Sequence, residues 1–356
     1  MLQKEKELFL QLCRFKKPDI ERIRYLLESK SATSEVLGTL FDNRVAAIAY
    51  GVLQKNRLIN MLGREFRNSL QSAYIMNIKR NDDFFACLKT VSACLEKCGA
   101  PYALLKGAYL CAWYPEGYRT SNDIDVLVLP EDVSRFSDCL KENGFKQGHI
   151  KNDEFIPATR QEIIESKMMR GETVPFIKEV NLPFLRFLEV DINFSLDYKN
   201  GSTDILTAML GRTEMKTVAS CEIRTLDKYD FLLHLCEHLY KEATTLPWIE
   251  MKRDMTFYKY CDIYSLLCEF TSEEIKNLIL RAKEISVNDE LSYCVHSIMS
   301  FYGNISSELK NLVDESEMSL FTHIISPSEK QIYRYSETDP LKRFFAKNRI
   351  KLMEVV

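Results

Sequence analysis

Through the first hundred residues, apolar positions recur every three or four places. The segments ELFLQLCRF, IERIRYLL and SEVLGTLFDNRVAAIAYGVLQ carry this spacing, which predicts a succession of amphipathic helices. A longer helix is expected from about Arg64 to Cys98, stopped by Gly99, Ala100 and Pro101. The period then changes. Between Pro101 and about Ser195, the short apolar runs YALL and IDVLVL are bounded by turn residues and predict strands. EDVSRFSDCLKENG predicts a helix ended by Gly144, and FKQGHI a strand after it. ETVPFIKEV and FLRFLEVDINFSL predict two more strands, split by NLP. From about Asp204 the helical period returns in DKYDFLLHLCEHLYKEA, DMTFYKYCDIYSLLCEF, TSEEIKNLILRAKEIS and NDELSYCVHSIMSFYG. The expected fold class is α+β. A small mixed sheet over 101–200 would be flanked by an N-terminal helical region over 1–100 and a C-terminal helical domain over 201–356.

Composition narrows the partners. With 48 basic and 51 acidic residues the net charge is −3, without the basic excess that usually accompanies a grip on long nucleic acid. Apolar residues make up 46% of the 356, enough for a real core, and no run approaches the roughly 20 apolar residues of a membrane span. A soluble, cytoplasmic protein with no membrane partner is expected. The 11 cysteines form no C-x-x-C pair. Cys94 and Cys98 are one helical turn apart, with no second pair at zinc-site spacing, so reduced and mostly buried thiols are expected.

The chemistry concentrates in ALLKGAYLCAWYPEGYRTSNDIDVLVLP, residues 103–130. Asp123 and Asp125 stand two apart at the mouth of an apolar strand, so both carboxylates face one side, with Ile124 and Val126 on the other. Two carboxylates that close repel each other, and a divalent cation relieves the repulsion. Hard oxygen donors suit Mg²⁺ or Mn²⁺, ions that also recruit substrate phosphates. A third ligand is expected from FLEVDINFSL, where Glu189, Asp191 and Asn193 alternate with Val190, Ile192 and Phe194. Asp191 is the candidate and Glu189 the fallback. In LLKGAYL, Gly107 would let backbone approach a phosphate, and a helix starting there would aim N–H groups at it. Lys106 and Arg119 would add positive charge for a polyphosphate.

A strand, a glycine turn, a helix, an Asp-apolar-Asp strand and a later lone Asp together resemble the DNA polymerase beta-like nucleotidyltransferase superfamily. Within it, LLKGAYL and YRTSNDIDVLV are similar to the bacterial uncharacterised nucleotidyltransferases. These have a Lys-Gly turn, an Arg shortly before the acidic pair, and helical flanks. The match covers about residues 101–195. It implies a metal-dependent enzyme that moves an NMP from an NTP, with ATP expected, to an acceptor hydroxyl or phosphate, releasing pyrophosphate. Asp123, Asp125 and Asp191 would be catalytic and hold Mg²⁺ or Mn²⁺; Lys106, Gly107, Ala108 and Arg119 would bind the nucleotide. The superfamily turn usually continues with Gly or Ser, and Ala108 stands there instead. One phosphate contact is thereby left to a backbone N–H, to Lys106 or to water.

The near-neutral charge favours a small-molecule acceptor over nucleic acid. Two alternatives stay open: a toxin-like nucleotidyltransferase acting on tRNA or a protein, and a non-catalytic nucleotide-binding module. Arg119 could instead pair with Glu116. His234 and His238, one turn apart, lack the further ligands of a zinc site, since Cys236 lies on another face. They and Asp262 are left as residues of unassigned role. DMTFYKYCDIY is expected to be helix core, and the basic tail LKRFFAKNRIKLMEVV a solvated helix face.

Overall fold

The computed structural model describes residues 1–169, 171–196, 203–303, 305–326 and 332–356. Contacts divide the chain into two compact units. One is Ile75–Phe231; the other joins Met1–Tyr74 to Leu232–Val356. Residues from both chain ends therefore build one helical unit.

That unit opens with α1 (Gln3–Leu12), α2 (Ile20–Glu28), α3 (Ser34–Asp42) and α4 (Ala46–Lys55). Side-chain caps fix two of the starts: Asp19 accepts the Arg22 N–H and Thr33 accepts that of Val36. Helix α5 (Arg64–Glu96) then carries the chain into the second unit.

The α/β unit contains β1 (Tyr102–Leu104), α6 (Gly107–Trp113), β2 (Asp123–Val128), α7 (Val133–Glu142), β3 (Lys146–Lys151) and β4 (Glu154–Pro157). It continues with α8 (Arg160–Met169), β5 (Phe176–Leu182), β6 (Leu185–Asn193), α9 (Thr203–Gly211), β7 (Glu214–Val218) and β8 (Cys221–Thr225). The described strands form one eight-stranded mixed sheet in the order β4-β3-β5-β6-β2-β1-β8-β7. Strands β2 and β6 are parallel neighbours in its middle; β1 runs antiparallel to β2. The fold class is the expected α+β, but β7 and β8 lie in a stretch read from its period as helical. The α5–β1 and β2–α7 segments close over one face of the sheet. Phe84, Leu88, Val91 and Leu95 of α5 and Phe136 and Leu140 of α7 pack there against Ile124, Val126, Val128, Val190 and Ile192. Burying these side chains leaves the alternate positions of β2 and β6 on the opposite face, among them Asp123, Asp125, Glu189 and Asp191.

Helix α10 (Lys228–Thr244) leads back to the helical unit, followed by α11 (Leu246–Glu250), α12 (Phe257–Leu267), α13 (Ser272–Glu284), α14 (Asn288–Tyr302), α15 (Ser307–Asp314) and α16 (Pro340–Phe344). A small sheet adds β9 (His323–Ile324), β10 (Tyr333–Tyr335) and β11 (Met353–Val355). Its aromatic core joins the two ends of the sequence. Phe9 of α1 meets Phe257 of α12 at 4.9 Å between ring centroids, and Phe257 meets Phe301 at 5.1 Å and Phe344 at 5.0 Å. DMTFYKYCDIY is helix core as expected, with Phe257, Tyr260, Cys261 and Tyr264 buried. The tail differs from its expectation. Arg343 and Phe344 are buried, because the aromatic core takes Phe344 in, and Met353–Val355 is strand. Arg349 grips the fully buried Asp254 with two hydrogen bonds of 2.6 Å.

The sulfurs of Cys94 on α5 and Cys139 on α7 lie side by side, and the other nine cysteines are free. Among the described residues no single helix is long and apolar enough to cross a membrane.

Candidate active site

Because β2 and β6 are parallel and in register, Asp123 stands opposite Glu189 and Asp125 opposite Asp191. Adjacent strands are about 4.8 Å apart, so four carboxylates share one small area of the sheet. Asp125 is 5% exposed; Asp123, Glu189 and Asp191 are half-buried.

Lys106 reaches this area from the neighbouring strand. The β1–β2 register continues one step past β1, where the Leu105 N–H donates to the Asp125 carbonyl at 3.0 Å. This brings Lys106 beside Asp125, and its Nζ donates to Asp125 Oδ1 at 2.8 Å. The turn itself is unusual. Its positive φ falls on Lys106, at φ 44° and ψ −115°, rather than on Gly107, which starts α6 with an ordinary φ. A side chain in that region costs on the order of 1–3 kcal/mol, held here by the surrounding structure. What requires glycine at 107 is space. A Cβ there would lie 2.2 Å from Ser121 Oγ and 2.4 Å from Ser121 Cβ.

This carboxylate face with its lysine is set in a matching family context. The chain matches the model of the family described as uncharacterised nucleotidyltransferases over residues 29–303, well over half its length. The chain belongs to that family. No curated protein matches it. Among solved structures it is similar to an antigenic nucleotidyltransferase-like protein from Paracoccidioides brasiliensis. Identity is 13%, the TM-score is 0.31, and the likeness covers 56% of this chain and 90% of that one.

The electrostatics of this nucleotidyltransferase follow from crowding. Burial works against the Lys106 ammonium, but Asp125 foremost, then Asp123 and Asp191, raise its pKa, so it stays charged. Asp125 is raised by burial, opposed by Lys106, and raised again by Asp123. Asp191 is raised well above the usual carboxylate range by burial and by Asp125, Glu189 and Asp123. Burial and then Asp123 and Asp125 push Glu189 up to about 6. One ammonium faces four carboxylates, so the cluster as a whole holds an excess of negative charge. Among the described residues no three acidic, histidine or cysteine side chains are gathered tightly enough to enclose a metal ion. The cation at hand is Lys106. In chemical type the donors are those a hard divalent ion takes: oxygen only, self-repelling, on adjacent strands of one sheet face.

The remaining candidates are placed as follows. Ala108 is buried in α6 and contributes no side-chain polar group. Arg119 lies in the segment before β2, where its guanidinium donates to the Thr120 carbonyl. His234 and His238 stack 6.5 Å apart on α10, with His238 Nε2 3.3 Å from Glu242 Oε1, while Glu242 Oε2 pairs with Lys259. Asp262 is buried on α12. These last residues belong to the helical unit.

Three contributors were not foreseen. The side-chain amides of Asn77 and Asn81 on α5 donate to the carbonyls of Gly117 and Arg119, each at 2.9 Å, and hold the segment that leads into β2. Ser121 Oγ donates to Asp123 Oδ1 at 2.6 Å. The asparagines could have been noticed as polar residues in the middle of a long helix, where they weaken helix propensity unless they have a partner.

Proposed function

We propose that this nucleotidyltransferase moves an NMP from an NTP, with ATP expected, to a hydroxyl or phosphate of a small-molecule acceptor and releases pyrophosphate. The observation that carries the reading is the register of β2 on β6, which sets Asp123 and Asp125 beside Glu189 and Asp191 with Lys106 on Asp125. The same arrangement supports a place in the DNA polymerase beta-like superfamily. Asp123, Asp125 and Asp191 would hold Mg²⁺ or Mn²⁺, which when bound neutralises charge on the phosphates and on the attacking and leaving oxygens. Lys106 supplies a fixed positive charge at the end of β1 for the triphosphate, and Arg119 a second one. Gly107 and Ala108 open α6 directly after Lys106, with the Ala108 N–H donating to the Leu105 carbonyl at 3.1 Å. Asp191 is the carboxylate placed to accept the acceptor's proton. Catalysis on this design comes mostly from positioning and charge neutralisation. A net charge of −3 supports a small acceptor in place of a polynucleotide.

Titration calorimetry with Mn²⁺ and a non-hydrolysable ATP analogue tests the site. The wild type should bind, and Asp123→Ala and Asp125→Ala should lose binding while remaining folded, because too few hard donors remain. Equal binding by all three proteins would remove the site. Labelled NTP, Mg²⁺ and a cell extract then test the acceptor. Label in the small-molecule fraction supports the reading, and label in tRNA or protein overturns the acceptor class.

A further inference from the structure

We propose that Ser121 is a positioning residue of this site: its hydroxyl aims the Asp123 carboxylate, and residue 107 is glycine to make room for it. The inference rests on the function proposed above and deepens it.

Three observations converge on Ser121. First, its hydroxyl donates to Asp123 Oδ1 at 2.6 Å, a short charge-assisted bond that fixes one carboxylate oxygen. Second, Gly107 is not demanded by backbone conformation, since the positive φ of the turn belongs to Lys106. Its missing Cβ is demanded by Ser121, whose Oγ and Cβ lie 2.2 Å and 2.4 Å from where that atom would be. Separations that short do not occur between real side chains, so any larger residue at 107 must push Ser121 away from Asp123. Third, Ser121 is brought there by design of the segment before it. Asn77 and Asn81 of α5 tie down the carbonyls of Gly117 and Arg119, so the chain approaches β2 along a fixed path.

The arrangement also answers a difficulty in the turn. Residue 108, where a hydroxyl would be expected, is a buried alanine. Ser121 brings a hydroxyl to the same turn from a different part of the chain, packed on the Cα of Gly107. Its single proton goes to Asp123, so it acts by orienting that carboxylate and not by donating to a phosphate.

The test uses the full chain, with Mn²⁺ and a non-hydrolysable ATP analogue as the probe. Ser121→Ala removes the hydroxyl and keeps the packing. Its melting midpoint should stay within about 2 °C of wild type, while affinity for the Mn²⁺–nucleotide pair falls about 3–10-fold, the scale of one hydrogen bond. Gly107→Ala should lower the melting midpoint and abolish binding. Adding Ser121→Gly to Gly107→Ala removes both clashing atoms and should restore the midpoint, whereas adding Ser121→Ala leaves a Cβ in the way and should not. Wild-type affinity in Ser121→Ala, with Asp123→Ala inactive in binding, would overturn the role of Ser121 alone. Equal binding by wild type and Asp123→Ala would instead bring down the reading of the whole site. Should Gly107→Ala fail to fold, Ser121→Ala still decides the matter. A Gly107→Ala midpoint that Ser121→Gly does not improve would show that glycine serves something other than Ser121.

Discussion

Replacing Lys106 separates two energies that the wild type combines. Lys106→Ala removes the ammonium from Asp125, a carboxylate that is 5% exposed and already crowded by three others. Breaking a buried pair costs about 3–5 kcal/mol, and the lower figure applies here because Asp125 can take up a proton. Lys106→Gly removes the same ammonium and also relieves the side chain from φ 44°, ψ −115°. Relief is worth about 1–3 kcal/mol, less the 0.4–1 kcal/mol or so that glycine's extra freedom costs through the unfolded chain. The net expectation is that glycine is more stable than alanine by about 1 kcal/mol, an inversion of the usual order. At about 2–4 °C per kcal/mol for a unit of this size, alanine should melt about 6–12 °C below wild type and glycine about 2–4 °C above alanine. Circular dichroism melts of the three proteins at one pH check this. Nucleotide affinity should fall equally in both variants, since both lack the charge. If alanine matches or exceeds glycine in stability, the turn relaxes freely and stores no strain.

Two further outcomes are expected. Asp191→Asn should leave nucleotide binding near normal and lower transfer on the order of 10²-fold or more, read by single-turnover kinetics once the acceptor is known; full activity would point to Glu189. His296 on α14, stacked 4.1 Å from Phe321, has its pKa lowered to about 4 by burial and by Arg343. The unfolded chain protonates this histidine near 6.5, so the folded state should lose stability as pH falls from about 6.5 toward 4; the partly exposed ring limits the loss to about 1 kcal/mol at pH 5. His296→Leu should flatten that slope in calorimetric melts between pH 7 and 5, and an unchanged slope would show that His296 is not its source.

The parts of the fold that the sequence made readable are those where burial writes a period. β2 and β6 alternate because one face meets α5 and α7 and the other carries carboxylates, so both strands and their two faces were legible. The length of α5 was legible for the same reason. β7 and β8 were not. EMKTV is a mostly exposed edge strand, and the turn between the two strands uses Ala219 at φ 51° in place of the Asn-Gly or Asp-Gly that marks a hairpin. The β3–β4 hairpin did carry a signal, Asn152-Asp153 with φ 53° and 59°, and the strand EFIP could have been inferred from it. The strain at Lys106 was out of reach, because a Lys-Gly turn invites the positive φ onto the glycine. Asn81 acts through a partner that only the folded chain brings near, a carbonyl 38 residues on, and the closeness of Ser121 to Gly107 is likewise a product of folding, although its bond to Asp123 spans only two residues.

The aromatic core of the helical unit has a consequence for how the protein is made. Phe344, which stacks on Phe9 at 5.5 Å, leaves the ribosome more than three hundred residues after it. At about 5–20 residues per second the interval is on the order of tens of seconds. The α/β unit, Ile75–Phe231, is one continuous stretch and can close as soon as it has emerged. Helix α1 can pack at once on α2, α3 and α4, but its Phe9 face waits for α12 and α16, and every second of waiting is an opportunity for association with another nascent chain. The maturation of the helical unit is therefore timed by the arrival of α12 and α16, and yield in a cell should depend on whatever shields the Phe9 face of α1 until then.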